Sequence, residues 1–190
     1  MADGLTAGMM EDRALVSQIL GGDMQAFRVL IRQNERLVAH MVGKLISNRE
    51  EHEEICQDVF LKVYTRLCDF NFQSRLSTWI ATIAYRQAIN SFRKQQPMMG
   101  ELPEGEEAGK FLVSHDNPEE TVEDDDLDNY IHKLIDQLPP QYRIVLTLYH
   151  IECMSYEEIG EVTGMPEGTV KSYLFRARTR LKEKVKSLLK

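Results

Sequence analysis

Apolar residues in the first half of the chain recur at three- and four-residue steps, the period of a helix face. Ala14, Leu15, Val16, Ile19 and Leu20 mark a short amphipathic helix over residues 12–20, stopped by Gly21-Gly22. Asp23 then starts a long one as N-cap, and Phe27, Leu30, Ile31, Leu37, Val38, Met41, Val42 and Leu45 form its core face. A third helix opens on Glu50, Glu51, Glu53 and Glu54, acids that suit a helix N-terminus, and continues through Ile55, Val59, Phe60, Val63, Tyr64 and Leu67. A fourth runs over residues 77–94 with Trp79, Ile80, Ile83, Ala84, Ala88, Ile89 and Phe92 inward, preceded by the loop Asp69-Phe70-Asn71-Phe72-Gln73-Ser74.

The second half has a different signature. Pro140 starts a helix over residues 141–151 with Ile144, Val145, Leu148 and Ile151 inward. Ser155-Tyr156-Glu157-Glu158 is a capping box for a short helix through Ile159 and Val162 that ends at Gly164. The turn Thr163-Gly164-Met165-Pro166 leads into a last helix from about Glu167 to Leu189, on which Val170, Leu174, Ala177 and Leu181 take core positions. Two helices joined by a tight Gly turn form the arrangement that lays a recognition helix in the major groove. Glu167, Gly168, Thr169, Lys171, Ser172 and Tyr173 then face base edges, with Phe175 and Arg176 one turn on.

Charge sharpens this picture. The net charge of −7 argues on its face against a nucleic-acid partner, yet it is unevenly spread. Residues 101–128 hold twelve acids and one Lys, a net of −11, which leaves +4 for the remainder. Residues 166–190 carry a net of +6, and residues 73–96 contain no acid while including Arg75, Arg86, Arg93 and Lys94. The acidic stretch, with its Pro and Gly, buries too little apolar surface to offset its ordering entropy and reads as a flexible linker. The fold class expected is therefore all-α, two small helical domains at residues 1–96 and 124–190 joined by the acidic linker 97–123.

An aromatic loop leading into an acid-free basic helix suits single-stranded DNA, where bases stack on rings and cations follow phosphates. Phe70, Asn71, Phe72, Arg75, Trp79, Arg86, Asn90, Arg93 and Lys94 are its candidate contacts. The same aromatics fit plain core packing, and position alone does not separate the two readings.

Other chemistry finds little support. Cys56, Cys68 and Cys153 lie far apart and make no C-x-x-C pair, so neither a disulfide framework nor a zinc ribbon is expected, and the compartment reads as reducing and cytoplasmic. No cofactor is expected: the five His are scattered, with no H-E-x-x-H, phosphate loop or nucleophile elbow. His52 sits among Glu51, Glu53 and Glu54, but neighbouring positions on one helix point different ways, so a solvated helix start is expected rather than a metal site. Neither a signal peptide nor a membrane span is expected.

Four passages together resemble the extracytoplasmic-function sigma factors of the sigma-70 family. These are Gly22-Asp23-Met24-Gln25-Ala26-Phe27; Glu54-Ile55-Cys56-Gln57-Asp58-Val59-Phe60-Leu61-Lys62-Val63-Tyr64; Ser77-Thr78-Trp79-Ile80-Ala81-Thr82-Ile83-Ala84; and Leu138-Pro139-Pro140-Gln141-Tyr142-Arg143 with Met154-Ser155-Tyr156-Glu157-Glu158-Ile159-Gly160 and Gly168-Thr169-Val170-Lys171-Ser172. The resemblance implies a four-helix region 2 domain and a helix-turn-helix region 4 domain. It implies docking on core RNA polymerase through Glu54, Gln57, Asp58, Phe60 and Leu61. It assigns the aromatic loop and fourth helix to the minus-10 element of promoter DNA and the last helix to the minus-35 element. It also implies an anti-sigma factor as partner, a monomer when free, and no catalysis by the chain itself. In the family, Asn and Asp are common where this chain has Arg86 and Asn90, and Arg is frequent where it has Tyr173. The alternative from the residues alone is a stand-alone helix-turn-helix regulator that binds an operator as a dimer.

Overall fold

The computed structural model describes residues 2–95 and 133–188. The expected acidic linker lies outside the described residues. Among them every regular element is helical. Helix α1 spans Ala2–Leu20, α2 Met24–Gly43, α3 Arg49–Arg66 and α4 Leu76–Gln95, with a 3-10 turn Leu67–Asp69 after α3. In the second half α5 spans Pro140–Leu146, a π-helical turn Thr147–Ile151 follows, then α6 Tyr156–Thr163 and α7 Glu167–Leu188.

Local chemistry sets most of these boundaries. After α1 the Asp23 amide bonds Gln18 O at 3.0 Å and the Gly22 amide bonds Ile19 O at 2.9 Å. That Schellman closure needs a left-handed residue, and Gly22 supplies it at φ 93°. The Asp23 carboxylate then accepts from the Gln25 and Ala26 amides at 2.8 and 3.2 Å, starting α2. Asn48 accepts the Glu51 amide at 3.0 Å to start α3.

The expected elements are present with three differences. Helix α1 begins ten residues earlier than the periodicity suggests, carrying Gly4 and Gly8 within it. Helix α2 stops at Gly43, so Leu45 packs from the following turn rather than from the helix. The helix expected over residues 141–151 widens into a π turn at Thr147, where the Glu152 amide reaches back five residues to Thr147 O at 3.0 Å.

Helices α1 to α4 form the first bundle, with α2 packed on α1, α3 and α4. Leu30, Val38, Met41, Val42, Val59, Val63, Leu67, Ile80 and Ala84 are fully buried in it. His52, on the inner side of α3, has Nε2 3.0 Å from Ala39 O of α2, a packing contact between helices. The second half is built on Ile144, Leu148, Ile159, Val170, Leu174 and Ala177, with Leu181 half-buried, so the four core positions expected of α7 are occupied as expected.

The halves also pack on each other, chiefly through α4 against α6, and the buried apolar residues form one continuous cluster. Polar links cross at its edges. Lys44 Nζ meets Asp136 Oδ1 at 2.7 Å, and His40 Nδ1 meets Glu152 Oε1 at 2.6 Å. Thr78 donates to Glu158 Oε1 at 3.2 Å, and Arg75 Nε lies 3.6 Å from the same oxygen.

Candidate nucleic-acid and partner interfaces

Helix α3 turns one face to the core through Ile55, Val59 and Val63, which forces the residues between them outward. Glu54, Gln57, Asp58 and Leu61 are exposed along one stripe, and Phe60 is half-buried beside them. Leu61 is 62 % exposed, a large apolar side chain among acids. Tyr64 extends the stripe by one turn and lies 4.9 Å from the Phe27 ring. The combination is an acidic face with an apolar centre, suited to a basic protein surface.

Helix α4 is buried on most of its circumference, at Leu76, Thr78, Ile80, Ala81, Ala84, Tyr85, Ala88, Ile89 and Phe92. On its outer side lie Trp79, half-buried, and Arg86, Asn90, Arg93 and Lys94, all exposed, among partly buried Thr82, Ile83, Gln87 and Ser91. Steps of seven, four and three residues keep the first four on one face, so the cations form a track of the kind that follows a phosphate backbone. Burial pushes the Tyr85 hydroxyl above the ordinary phenol range; nearby Arg93 opposes the shift and Tyr173 adds to it.

The loop before α4 divides its residues sharply. Phe70 is buried, 4.7 Å from the Phe72 ring and 5.4 Å from Trp79. Expected at DNA, Phe70 is instead the foundation on which the other two rings rest. Asn71 is exposed and its side chain accepts the Gln73 amide at 3.2 Å, a self-made turn. Phe72 is half-buried at φ 59° and Arg75 is exposed.

The helix-turn-helix is made by local signals. Ser155 accepts the Glu158 amide at 3.1 Å while Glu158 Oε2 accepts the Ser155 amide at 2.8 Å, the complete capping box. Gly164 ends α6 at φ 76°, its amide bonding Gly160 O at 2.8 Å. A Cβ on Gly160 would come within 2.9 Å of Met165 O, so the turn closes directly onto this glycine.

On α7, Glu167, Gly168, Lys171, Phe175 and Arg176 are exposed, and Thr169 and Ser172 are partly so. Phe175 stands 72 % exposed, an aromatic able to meet a thymine methyl. Lys171 Nζ lies 2.5 Å from Glu167 Oε1, which raises its pKa above the ordinary lysine value. Tyr173, expected at base edges, is buried, its ring edge-on to Tyr142 at 5.5 Å. Its place three residues after Val170 puts it on the core side of α7. Beyond the groove-facing turns, Arg178 Nε donates to His150 Nε2 at 3.2 Å and covers the Tyr149 ring at 5.1 Å. Burial and the Arg178 charge lower the His150 pKa.

The residues that sequence reasoning missed are those that join distant segments. Asp12, Arg13, Thr78 and Glu158 all contact the aromatic loop or the start of α4. Only Glu158 carried a local signal, its capping box, and that signal says nothing of its second contact. Among the described residues no group of three or more His, Cys, Asp or Glu is placed to hold a metal. Nor is any described helix long and apolar enough to cross a membrane.

Two family models match the chain, Sigma-70 region 2 over residues 30–97 and Sigma-70 region 4 over residues 128–181. The ECF RNA polymerase sigma-E factor of Haemophilus influenzae is 30% identical over 189 residues, 96% of this chain and 100% of that protein. The RNA polymerase sigma-H factor of Pseudomonas aeruginosa is also 30% identical, covering 95% of this chain and 96% of its own. Among solved structures, CnrH in complex with the cytosolic domain of CnrY matches with a TM-score of 0.66 at 20% identity, over 93% of this chain and 97% of that one. The sigma factor RpoE of Bartonella quintana, in complex with the anti-sigma factor NepR, matches with a TM-score of 0.63 at 22% identity, over 84% of this chain and 96% of its own. Matches that span both halves do not favour a stand-alone regulator.

Proposed function

The chain belongs to the extracytoplasmic-function sigma factors of the sigma-70 family, and we propose a division of that family's work among the surfaces just described. The acidic and apolar face of α3, through Glu54, Gln57, Asp58, Phe60 and Leu61, docks on core RNA polymerase. The track Trp79, Arg86, Asn90, Arg93 and Lys94, with Asn71, Phe72 and Arg75, takes the separated strand of the minus-10 element. The exposed first turns of α7, through Glu167, Gly168, Thr169, Lys171 and Ser172, with Phe175 and Arg176, read the minus-35 duplex. Residues 97–123 join a first domain at 1–96 to a second at 124–190.

The observation that carries this reading is the cationic track of α4, exposed on the side of the helix opposite its buried face. Sigma-70 proteins are not a catalytic enzyme family, and this chain contributes binding energy rather than bond chemistry. Extracting a base from the stack costs a few kcal/mol, while aromatic contacts return about 1–3 kcal/mol per base. The free protein therefore binds promoter DNA weakly and with strong salt dependence, and polymerase supplies the remaining contacts.

Closure of the two halves fits the same account. Thr78 and Arg75 at the start of α4 are held by Glu158 of the helix-turn-helix, so strand capture requires the halves to part. CnrH was solved with the cytosolic domain of CnrY and RpoE with the anti-sigma factor NepR, and a dedicated anti-sigma factor stabilising a closed form is the partner we assign here. The protein works in the cytoplasm as a monomer until it meets polymerase.

The test is transcription from a genomic promoter pool by sigma-free core polymerase, with transcript starts sequenced with and without the protein. New starts that share two spaced upstream elements are expected. A core enzyme that neither binds the protein nor gains any start, while active with another sigma factor, would overturn the proposal.

A further inference from the structure

A base-capturing loop must hold its aromatic ring still, and Phe72 stands in an unfavourable place to do so. Its φ of 59° is a left-handed conformation that a bulky residue keeps only when its surroundings compel it. Part of that support comes from below, where Phe70 lies 4.7 Å from the Phe72 ring. The rest comes from α1, a helix outside the loop. Asp12 Oδ2 accepts the Leu76 amide at 3.1 Å across 64 residues of sequence, and the Arg13 guanidinium lies 4.5 Å from the Phe72 ring centroid.

Each contact has a clear physical effect. The Leu76 amide is one of the orphan donors at the start of α4, and a carboxylate there is favoured by the helix dipole. Asp12 thus performs from a separate helix the capping that N-cap residues perform locally. It ties the end of the aromatic loop to α1. Arg13 lies over the Phe72 ring, and the Phe70 ring leans against Phe72 at 54°. A base that stacks on the face Arg13 covers takes the place of the guanidinium. The displaced cation is exposed and carries five donors, which suits it to pair with a phosphate.

We infer that Asp12 and Arg13 are positioning residues for single-strand capture: Asp12 fixes the loop, and Arg13 holds Phe72 until a base replaces it and then takes the phosphate. The inference rests on the proposed function and extends the minus-10 surface from α4 and its loop onto α1.

The test uses holoenzyme assembled from the full chain and core polymerase. Its probe is a fluorescent single-stranded oligonucleotide carrying the downstream promoter element recovered in the transcription experiment. Arg13→Ala is expected to weaken probe binding about fivefold and to lower the magnitude of the log-log salt slope by about one, as loss of one phosphate contact requires. Arg13→Lys should keep the slope, because the charge remains. Asp12→Ala, which removes the acceptor of the Leu76 amide, should weaken the probe by a similar factor without changing the slope, and neither residue's substitution should alter affinity for core polymerase. Tighter binding by Arg13→Ala would show Arg13 to be a mere plug and overturn the inference, as would unchanged affinity and slope in all three variants. If the wild-type holoenzyme fails to bind the probe, the functional reading falls and the inference with it.

Discussion

Glu158 and Thr78 meet at 3.2 Å across the two halves of the chain, the hydroxyl donating to Oε1 while the other oxygen of the same carboxylate closes the capping box on the Ser155 amide. One side chain therefore both starts α6 and holds the beginning of α4. Thr78 is fully buried, so its hydroxyl depends on a protein partner.

This double role separates two substitutions. Glu158→Gln leaves one acceptor oxygen for two donors, the Thr78 hydroxyl and the Ser155 amide, so it keeps one of the two contacts and also loses the attraction to Arg75, whose side chain is half exposed. It should cost about 1 kcal/mol. Glu158→Ala removes the cap contribution, about 1 kcal/mol, and leaves a buried hydroxyl unsatisfied, a further ~1–3 kcal/mol. Urea denaturation of both variants measures the gap. Equal losses would mean that the contact glutamine retains contributes nothing.

The pair Lys44 and Asp136 is asymmetric in a way that predicts which partner matters. Side-chain exposure is 9% for Lys44 and 48% for Asp136, at an Nζ to Oδ1 distance of 2.7 Å. Asp136→Ala strands a buried ammonium and should cost about 1–3 kcal/mol, whereas Lys44→Met leaves an acid that water can solvate and should cost less. Thermal unfolding at one ionic strength ranks the two, and a larger loss for Lys44→Met would contradict the burial argument.

Two glycines of the helix-turn-helix should respond in opposite directions to alanine. At Gly160 the new Cβ meets the Met165 carbonyl at 2.9 Å, and because that atom is backbone the turn itself must move. Overpacking of this kind costs about 1–3 kcal/mol, which exceeds the gain of up to ~1 kcal/mol from replacing a helical glycine. At Gly168 nothing lies within 4 Å of the new atom, so Gly168→Ala should stabilise by about 0.5–1 kcal/mol. Denaturation midpoints of both variants decide it; stabilisation by Gly160→Ala would mean that the turn yields freely.

What could be read in the sequence is what local chemistry decides. The Asp23 cap, the Ser155–Glu158 box and the Gly164 stop each act within a few residues, and each is present as expected. Periodicity likewise separated Val170, Leu174 and Ala177 from the exposed residues of α7. It failed where a position fits two roles. Phe70 and Phe72 are two residues apart in one loop, and only the fold shows that the first is buried beneath the second. Tyr173 lies next to Leu174 on the inner side of α7, so an aromatic expected at DNA packs on Tyr142. Contacts such as Asp12 with the Leu76 amide leave no trace in either segment, because nothing in residues 12–13 or 70–76 encodes their proximity.

The exposed track of α4 should itself divide into phosphate and base contacts. Arg93 lies at its far end, distant in sequence from the aromatic loop, and a guanidinium there can follow the backbone without reading a base. Arg93→Ala in holoenzyme should weaken all promoters of the chain's set by a similar factor and lower the magnitude of the salt slope by about one. Asn90 is uncharged and carries both donors and an acceptor, so Asn90→Ala should leave the slope unchanged while relaxing preference at one position of the minus-10 element. Transcript counts from a library randomised across that element, collected at two salt concentrations, resolve the two behaviours. A position-specific change for Arg93→Ala, or a uniform salt-dependent loss for Asn90→Ala, would reverse the roles assigned to these two residues.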